Sequence, residues 1–94
     1  MLGVRVALIG TQFMGRVHSH ALRTVPSFFR LKYHPEMKVL CGRDPRRTAE
    51  VAARFGWREH SVDWKSVVSR RDIDLVDICT PGDLHAEIAL AAIR

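Results

Sequence analysis

Two kinds of apolar pattern alternate along the chain. Val4-Arg5-Val6-Ala7-Leu8-Ile9 is β-branched, nearly continuous, and stops at Gly10. Such a run predicts a strand covered on both faces, as in a parallel sheet. After the turn Gly10-Thr11-Gln12-Phe13-Met14-Gly15, apolar or neutral residues fall at 14, 17, 18, 21, 22 and 25. That spacing is one face of a helix, with Arg16, His20 and Arg23 on the other side and Pro26 as its stop. Ser27 to Met37 reads as a longer connection whose Phe28, Phe29 and Tyr33 are expected to pack on the body. Lys38-Val39-Leu40-Cys41 is a short strand ending at Gly42. Asp44 and Pro45 open the next helix as N-cap and first helical residue, Val51, Ala52 and Phe55 form its apolar positions, and Gly56 closes it.

The second half repeats the alternation. Trp57 to His60 predicts a brief edge strand, and Asp63 caps a short helix through Val68. Ile73 to Cys79 is the next strand, in which Asp77 needs a partner or a strand end. Thr80-Pro81-Gly82 is a turn, and Asp83 caps a last helix from Leu84 to at least Ile93. Strands alternating with helices imply a parallel sheet with right-handed crossovers. The fold class is therefore α/β: a partial doubly wound, Rossmann-like sheet of order 3-2-1-4 with helices on both faces. The last helix is apolar around most of its surface, so either more chain or a partner is expected to cover it.

Composition narrows the class. At 94 residues, 47% hydrophobic and 27% charged, the chain suits one small globular domain, not a disordered tail. No apolar run reaches the length of a membrane span, and Cys41 and Cys79 sit apart inside apolar runs. They read as buried thiols of a cytoplasmic protein. Residues 1–58 hold 11 Lys/Arg against 3 Asp/Glu, and residues 59–94 hold 4 against 7. A basic first half suits an anionic partner. The basic residues are spread over a loop and two helices with no DNA-reading motif, which sets nucleic-acid binding third among the readings.

Three sites carry the chemistry. Gly10-Thr11-Gln12-Phe13-Met14-Gly15 has the first and third glycines of G-x-G-x-x-G, between a strand and a helix. Gln12 replaces the glycine that normally admits the pyrophosphate, so its side chain must point away. The N–H groups of Phe13 and Met14 at the helix start suit an anion. Gly42-Arg43-Asp44 ends the second strand, where an acid meets the ribose of NAD and an arginine the 2′-phosphate of NADP. Arg43, with Arg46 and Arg47 behind it, favours NADP over NAD. Thr80, Pro81 and His85 follow the fourth strand, at the point where strand order reverses and ligands bind. In His18-Ser19-His20 the two histidines point to different helix faces, which argues against a metal pair.

Together the sites resemble the glucose-fructose oxidoreductase / inositol dehydrogenase (Gfo/Idh/MocA) family. The resemblance lies in the segments from Val6 to His18, from Cys41 to Pro45, from Asp74 to Pro81, and in His85-Ala86-Glu87-Ile88-Ala89. Ser27 to Met37 is its weakest stretch. It implies that residues 1–94 are a truncated dinucleotide-binding domain of an NAD(P)-dependent oxidoreductase acting on a sugar or polyol. By resemblance, Gly10, Thr11, Phe13, Met14 and Gly15 surround the pyrophosphate. Arg43 and Asp44 meet the adenosine ribose or its phosphate, and Thr80, Pro81 and His85 line the nicotinamide side. Two residues depart from the pattern: Gln12, and Gly82 where asparagine is usual. The family's Glu-Lys-Pro motif, with its catalytic lysine, and its substrate domain are not in these residues, so no catalytic residue is expected here. The alternative reading is a non-catalytic nucleotide-binding module completed by a partner chain. In the first reading the free edge of the fourth strand predicts self-association.

Overall fold

The computed structural model describes residues 2–28, 30 and 32–93. Its elements are β1 (Leu2–Ile9), α1 (Phe13–Phe28), β2 (Tyr33–Cys41), α2 (Pro45–Phe55), β3 (Glu59–Ser61), α3 (Trp64–Val68), β4 (Leu75–Ile78) and α4 (Gly82–Ile93). All strand pairs are parallel, in the order β3-β2-β1-β4. This is the Rossmann-like half sheet that the alternation predicts. Val6, Ala7, Leu8 and Ile9 lie at the centre of β1, flanked by β2 and β4, and all are buried.

Strand alternation sorts the core into two layers. Val6, Leu8 and Leu40 point to one face, where they meet Leu22 of α1, Val51 and Ala52 of α2, and Trp57. Ala7, Ile9, Val39 and Cys41 point to the other, against Val67 of α3 and Ile88 of α4. Asp44 caps α2 by accepting from the N–H groups of Arg46 and Arg47 at 2.9 and 3.3 Å. Gly56 ends the helix at φ 84°, the left-handed conformation that favours glycine. Asp63 caps α3 through the N–H of Ser66 at 3.3 Å.

Several boundaries differ from those the pattern predicts. β2 begins at Tyr33, not Lys38, because the whole of β1 offers it a hydrogen-bonding ladder from Leu2↔Tyr33 onward. The register slips between Val6 and Ala7, which absorbs one extra residue of β2. Pro35 is tolerated because β2 meets β3 only at Val39–Cys41, so at Pro35 it has one neighbour. α1 runs two residues past Pro26, because so near the helix end the proline removes only the bond to Leu22. Trp57 belongs to the core, with β3 starting two residues later. α4 starts at Gly82, ahead of Asp83, so Asp83 is not the cap position. Tyr33 is half exposed, while the expected packing of the Phe28 and Phe29 side chains falls outside the described residues.

Two ion-pair clusters clamp the lower end of the sheet. Arg5 grips Asp74 through Nε and Nη2 at 2.9 and 3.0 Å. Arg70 bonds Glu59 at 2.8 Å and Asp72 at 2.6 Å, with Lys38 nearby. Both lie away from the carboxyl ends of the strands, where the site forms.

Candidate functional site

The site is built by how β1 ends. Gly10 leaves the strand at φ 131°, and a Cβ there would lie 2.7 Å from the Cys79 carbonyl oxygen. Only glycine turns the chain so close to the end of β4. α1 begins three residues later, with the Gln12 carbonyl accepting the Arg16 N–H at 3.0 Å. A Cβ on Gly15 would collide with the Gly10 carbonyl, so glycine here lets α1 settle directly on the turn. That approach sets which face of α1 is buried. Gly15 and Ser19 turn inward, whereas Met14 and Val17, expected on the inner stripe, are 50% and 42% exposed.

Ser19 then anchors the helix. Its Oγ donates to the Gly15 carbonyl at 2.8 Å and accepts the Trp57 indole N–H at 3.0 Å. The first turn of α1 carries no acidic residue, so its unpartnered N–H groups present partial positive charge to the strand ends.

These ends enclose a cleft of about 430 Å³. That lies within the usual range for small-molecule sites, about 300–1,000 Å³. Gly10, Thr11 and Gln12 form one wall, Gly42, Arg43, Asp44 and Arg47 the second, and Thr80 and Pro81 the third. Gly10, Thr11, Gln12, Gly42, Arg43, Asp44, Arg47, Thr80 and Pro81, all singled out in the sequence, therefore meet around one space. Gly15 lies buried beneath the turn, Phe13 and Met14 are exposed at the helix start, and His85 is exposed on α4 outside the cleft wall. Gly42 also lies against Thr11, since a Cβ there would come within 2.8 Å of Thr11 Cγ2.

Val62, Trp64 and Leu84 line the cleft too and were missed by the sequence reading. The rule that ligands sit at strand carboxyl ends would have pointed to the residues just after β3. Thr80 Oγ1 is buried with no hydrogen-bond partner among the described residues. A buried hydroxyl normally has one, so this wall suits a ligand with a polar group. Asp44 Oδ1 is committed to capping α2. Burial pushes the Cys41 thiol up to about 11 and, with Asp77 adding to it, the Cys79 thiol up to about 12. Neither is a ready nucleophile.

Residues 4–94 match the Gfo/Idh/MocA family, described as an oxidoreductase family with an NAD-binding Rossmann fold. The chain belongs to this family. Levoglucosan dehydrogenase of Pseudarthrobacter phenanthrenivorans is 45% identical over 93 residues, covering 98% of this chain and 24% of its own. The structure of levoglucosan dehydrogenase in complex with NADH and L-sorbose superposes with a TM-score of 0.93 at 45% identity, covering 98% of this chain and 25% of that one. An oxidoreductase domain protein from Kribbella flavida superposes with a TM-score of 0.92 at 48% identity, over 99% and 25% of the two chains. The chain thus spans about a quarter of the length of these proteins.

Proposed function

We propose that the cleft binds a nicotinamide dinucleotide and that the chain is the cofactor-binding part of a dehydrogenase acting on a sugar or polyol hydroxyl. The observation that carries this reading is the acid-free start of α1, drawn onto Gly10 by Gly15 and opening on a cleft whose Thr80 hydroxyl has no partner among the described residues. Gly10, Thr11, Phe13, Met14 and Gly15 surround the pyrophosphate, and the N–H groups of Phe13 and Met14 donate to it. Gln12 stands where a glycine is usual, but it is exposed at the rim, so its side chain can lie in solvent. Val62 and Trp64 give the adenine an apolar wall. Thr80, Pro81 and His85 belong to the nicotinamide side, with Thr80 Oγ1 finding its partner there.

When bound, the cofactor supplies the hydride acceptor for the hydroxyl carbon. This chain's residues bind and orient it and assign no group to proton transfer. Substrate binding and proton transfer fall to a second domain, and the 94 residues alone are inactive. The L-sorbose bound in levoglucosan dehydrogenase supports the sugar class.

Arg43 and Arg47 on the ribose wall favour the 2′-phosphate of NADP. A second reading, NAD, is favoured by the NADH in levoglucosan dehydrogenase and by Asp44, whose Oδ2 is left to accept a ribose hydroxyl while Oδ1 caps α2. Titration with NADPH and NADH, followed by nicotinamide fluorescence, tests both. Tighter NADPH binding supports the first reading, tighter NADH binding the second, and binding of neither overturns the cleft assignment.

Two settings complete the proposal. Leu75, Leu90 and Ile93 stay exposed beside the outer edge of β4, which supports self-association or cover by further chain. A concentration-independent monomer in sedimentation would count against self-association. The two free thiols support a cytoplasmic setting.

A further inference from the structure

Among the described residues, one cluster of metal-ligating side chains borders the dinucleotide cleft, sharing only Cys79 with its lining. His18 lies in the second turn of α1, while Asp77 and Cys79 stand two residues apart at the end of β4. They converge behind the glycine turn, on the face of the sheet that α1 covers. His18 Nδ1 is 2.7 Å from Asp77 Oδ2 and 3.4 Å from Cys79 Sγ, and Cys79 Sγ is 3.6 Å from Asp77 Oδ1.

We propose that His18, Asp77 and Cys79 form a binding site for one divalent transition-metal ion of zinc-like preference, with its fourth position open to water. The spacing supports this. Zinc bonds of about 2.0–2.3 Å at tetrahedral angles place ligand atoms about 3.3–3.6 Å apart. The sulfur-to-nitrogen and sulfur-to-oxygen separations, 3.4 and 3.6 Å, already fit. Only the short His18–Asp77 contact, a hydrogen bond in the metal-free cluster, has to open. The donor set of thiolate, imidazole and carboxylate suits zinc or cobalt and disfavours magnesium and calcium. The ligands stand on a helix and a strand whose packing is fixed by Gly15 and Ser19, so little ordering remains to be done on binding. The His18 and Asp77 side chains are 39% and 23% exposed, which leaves a path for an ion and its water.

The protons balance simply. In the metal-free cluster His18 Nδ1–H and the Cys79 S–H each donate to Asp77. The ion takes the place of both protons. The thiol proton leaves to solvent, and the imidazole exchanges its Nδ1 proton for one on Nε2. The net release is one proton per ion for a neutral imidazole.

Titrating the full chain with Co²⁺ alone tests the site. The expected result is a saturable, one-to-one thiolate-to-cobalt charge-transfer band in the near ultraviolet that Zn²⁺ abolishes by displacement. Cys79→Ser removes the band. Asp77→Asn and His18→Gln weaken Co²⁺ binding by at least the 10- to 100-fold that the loss of even an outer-shell partner costs a metal site. If Cys79→Ser does not fold, His18→Gln on the partly exposed helix face decides alone. No band at saturating cobalt overturns the proposal. So does a band of unchanged strength in Cys79→Ser, or unchanged affinity in His18→Gln.

Discussion

The indole N–H of Trp57 donates to Ser19 Oγ at 3.0 Å, with both residues buried between α1 and the end of α2. This bond holds the first turns of α1 in place above the glycine turn. Ser19→Ala leaves the indole N–H without a partner in the core. The expected loss is about 1–3 kcal/mol of stability, read as a lower urea midpoint at unchanged slope. Trp57→Phe removes the donor and leaves the Ser19 hydroxyl bonded to the Gly15 carbonyl, so it is expected to cost less at the hydrogen bond itself.

Gly15→Ala introduces a methyl group that meets the Gly10 carbonyl. Backbone cannot rotate away as a side chain can, so α1 must lift from the turn. The expected cost is about 1–3 kcal/mol, the range for overpacking. Dinucleotide affinity should fall more than the stability change explains, because the helix N–H groups move off the cleft. Paired denaturation and NADH or NADPH titrations check this, and unchanged affinity would show that the turn is not the pyrophosphate site.

Arg43→Ala separates the cofactors. A charge-assisted contact is worth about 1.5–3 kcal/mol, so loss of one to the 2′-phosphate weakens NADPH by roughly 10- to 150-fold. NADH affinity should barely move. Equal weakening of both would place Arg43 on the pyrophosphate or in the general field of the basic half.

Much of this site and its frame was legible in the sequence because the signals were local. Asp44-Pro45 and Gly56 mark the ends of α2 through chemistry within one turn. Gly10 and Gly15 mark the turn, and the run Val6-Ala7-Leu8-Ile9 marks the central strand. What escaped depended on distant partners. β2 grows to Tyr33 because β1 pairs with it, although Tyr33-His34-Pro35-Glu36 has no strand pattern of its own. The buried face of α1 follows from how closely Gly15 approaches Gly10, which spacing alone does not encode. Asp77 stood out as a charge in an apolar strand. Its partner His18 lies 59 positions earlier and looked like a member of the inner helical stripe.

Acid should loosen the lower end of the sheet. Side-chain and backbone hydrogen bonds from Arg5 hold the Asp74 carboxyl down at about 2, and Arg70 does the same for Asp72. The unfolded carboxyls titrate near about 3.9. Both groups therefore stabilise the fold fully above about pH 4, and that contribution disappears as pH falls toward 2. Thermal midpoints measured from neutral pH downward should decline over this window. Asp74→Asn should show a shallower decline with a lower midpoint at neutral pH.

Alkali should act through Cys41 with the opposite sign. Burial raises its thiol to about 11, above the ordinary value of about 8.5 for an unfolded chain. The unfolded state loses the proton first, so stability is intact below about pH 8.5 and lost as pH rises toward 11. Cys41→Ala should flatten the alkaline limb of the midpoint curve even though its own midpoint at neutral pH is lower. An identical slope would mean that other groups govern alkaline unfolding.

The strand order has a consequence for how the chain is made. β1 leaves the ribosome first, yet its second neighbour, β4, begins only at Leu75. The most apolar of the four strands must therefore wait with one flank open until α1 to α3 have been made. During that interval Val6, Leu8 and Ile9 are the segment most exposed to wrong pairing. The bond from the Asp74 N–H to the Arg5 carbonyl at 2.8 Å, with the Arg5–Asp74 ion pair beside it, then aligns the incoming strand with the earliest one. A nascent chain stopped before Asp74 should bind a holdase chaperone, and one extended past Ile78 with α4 outside the tunnel should release it.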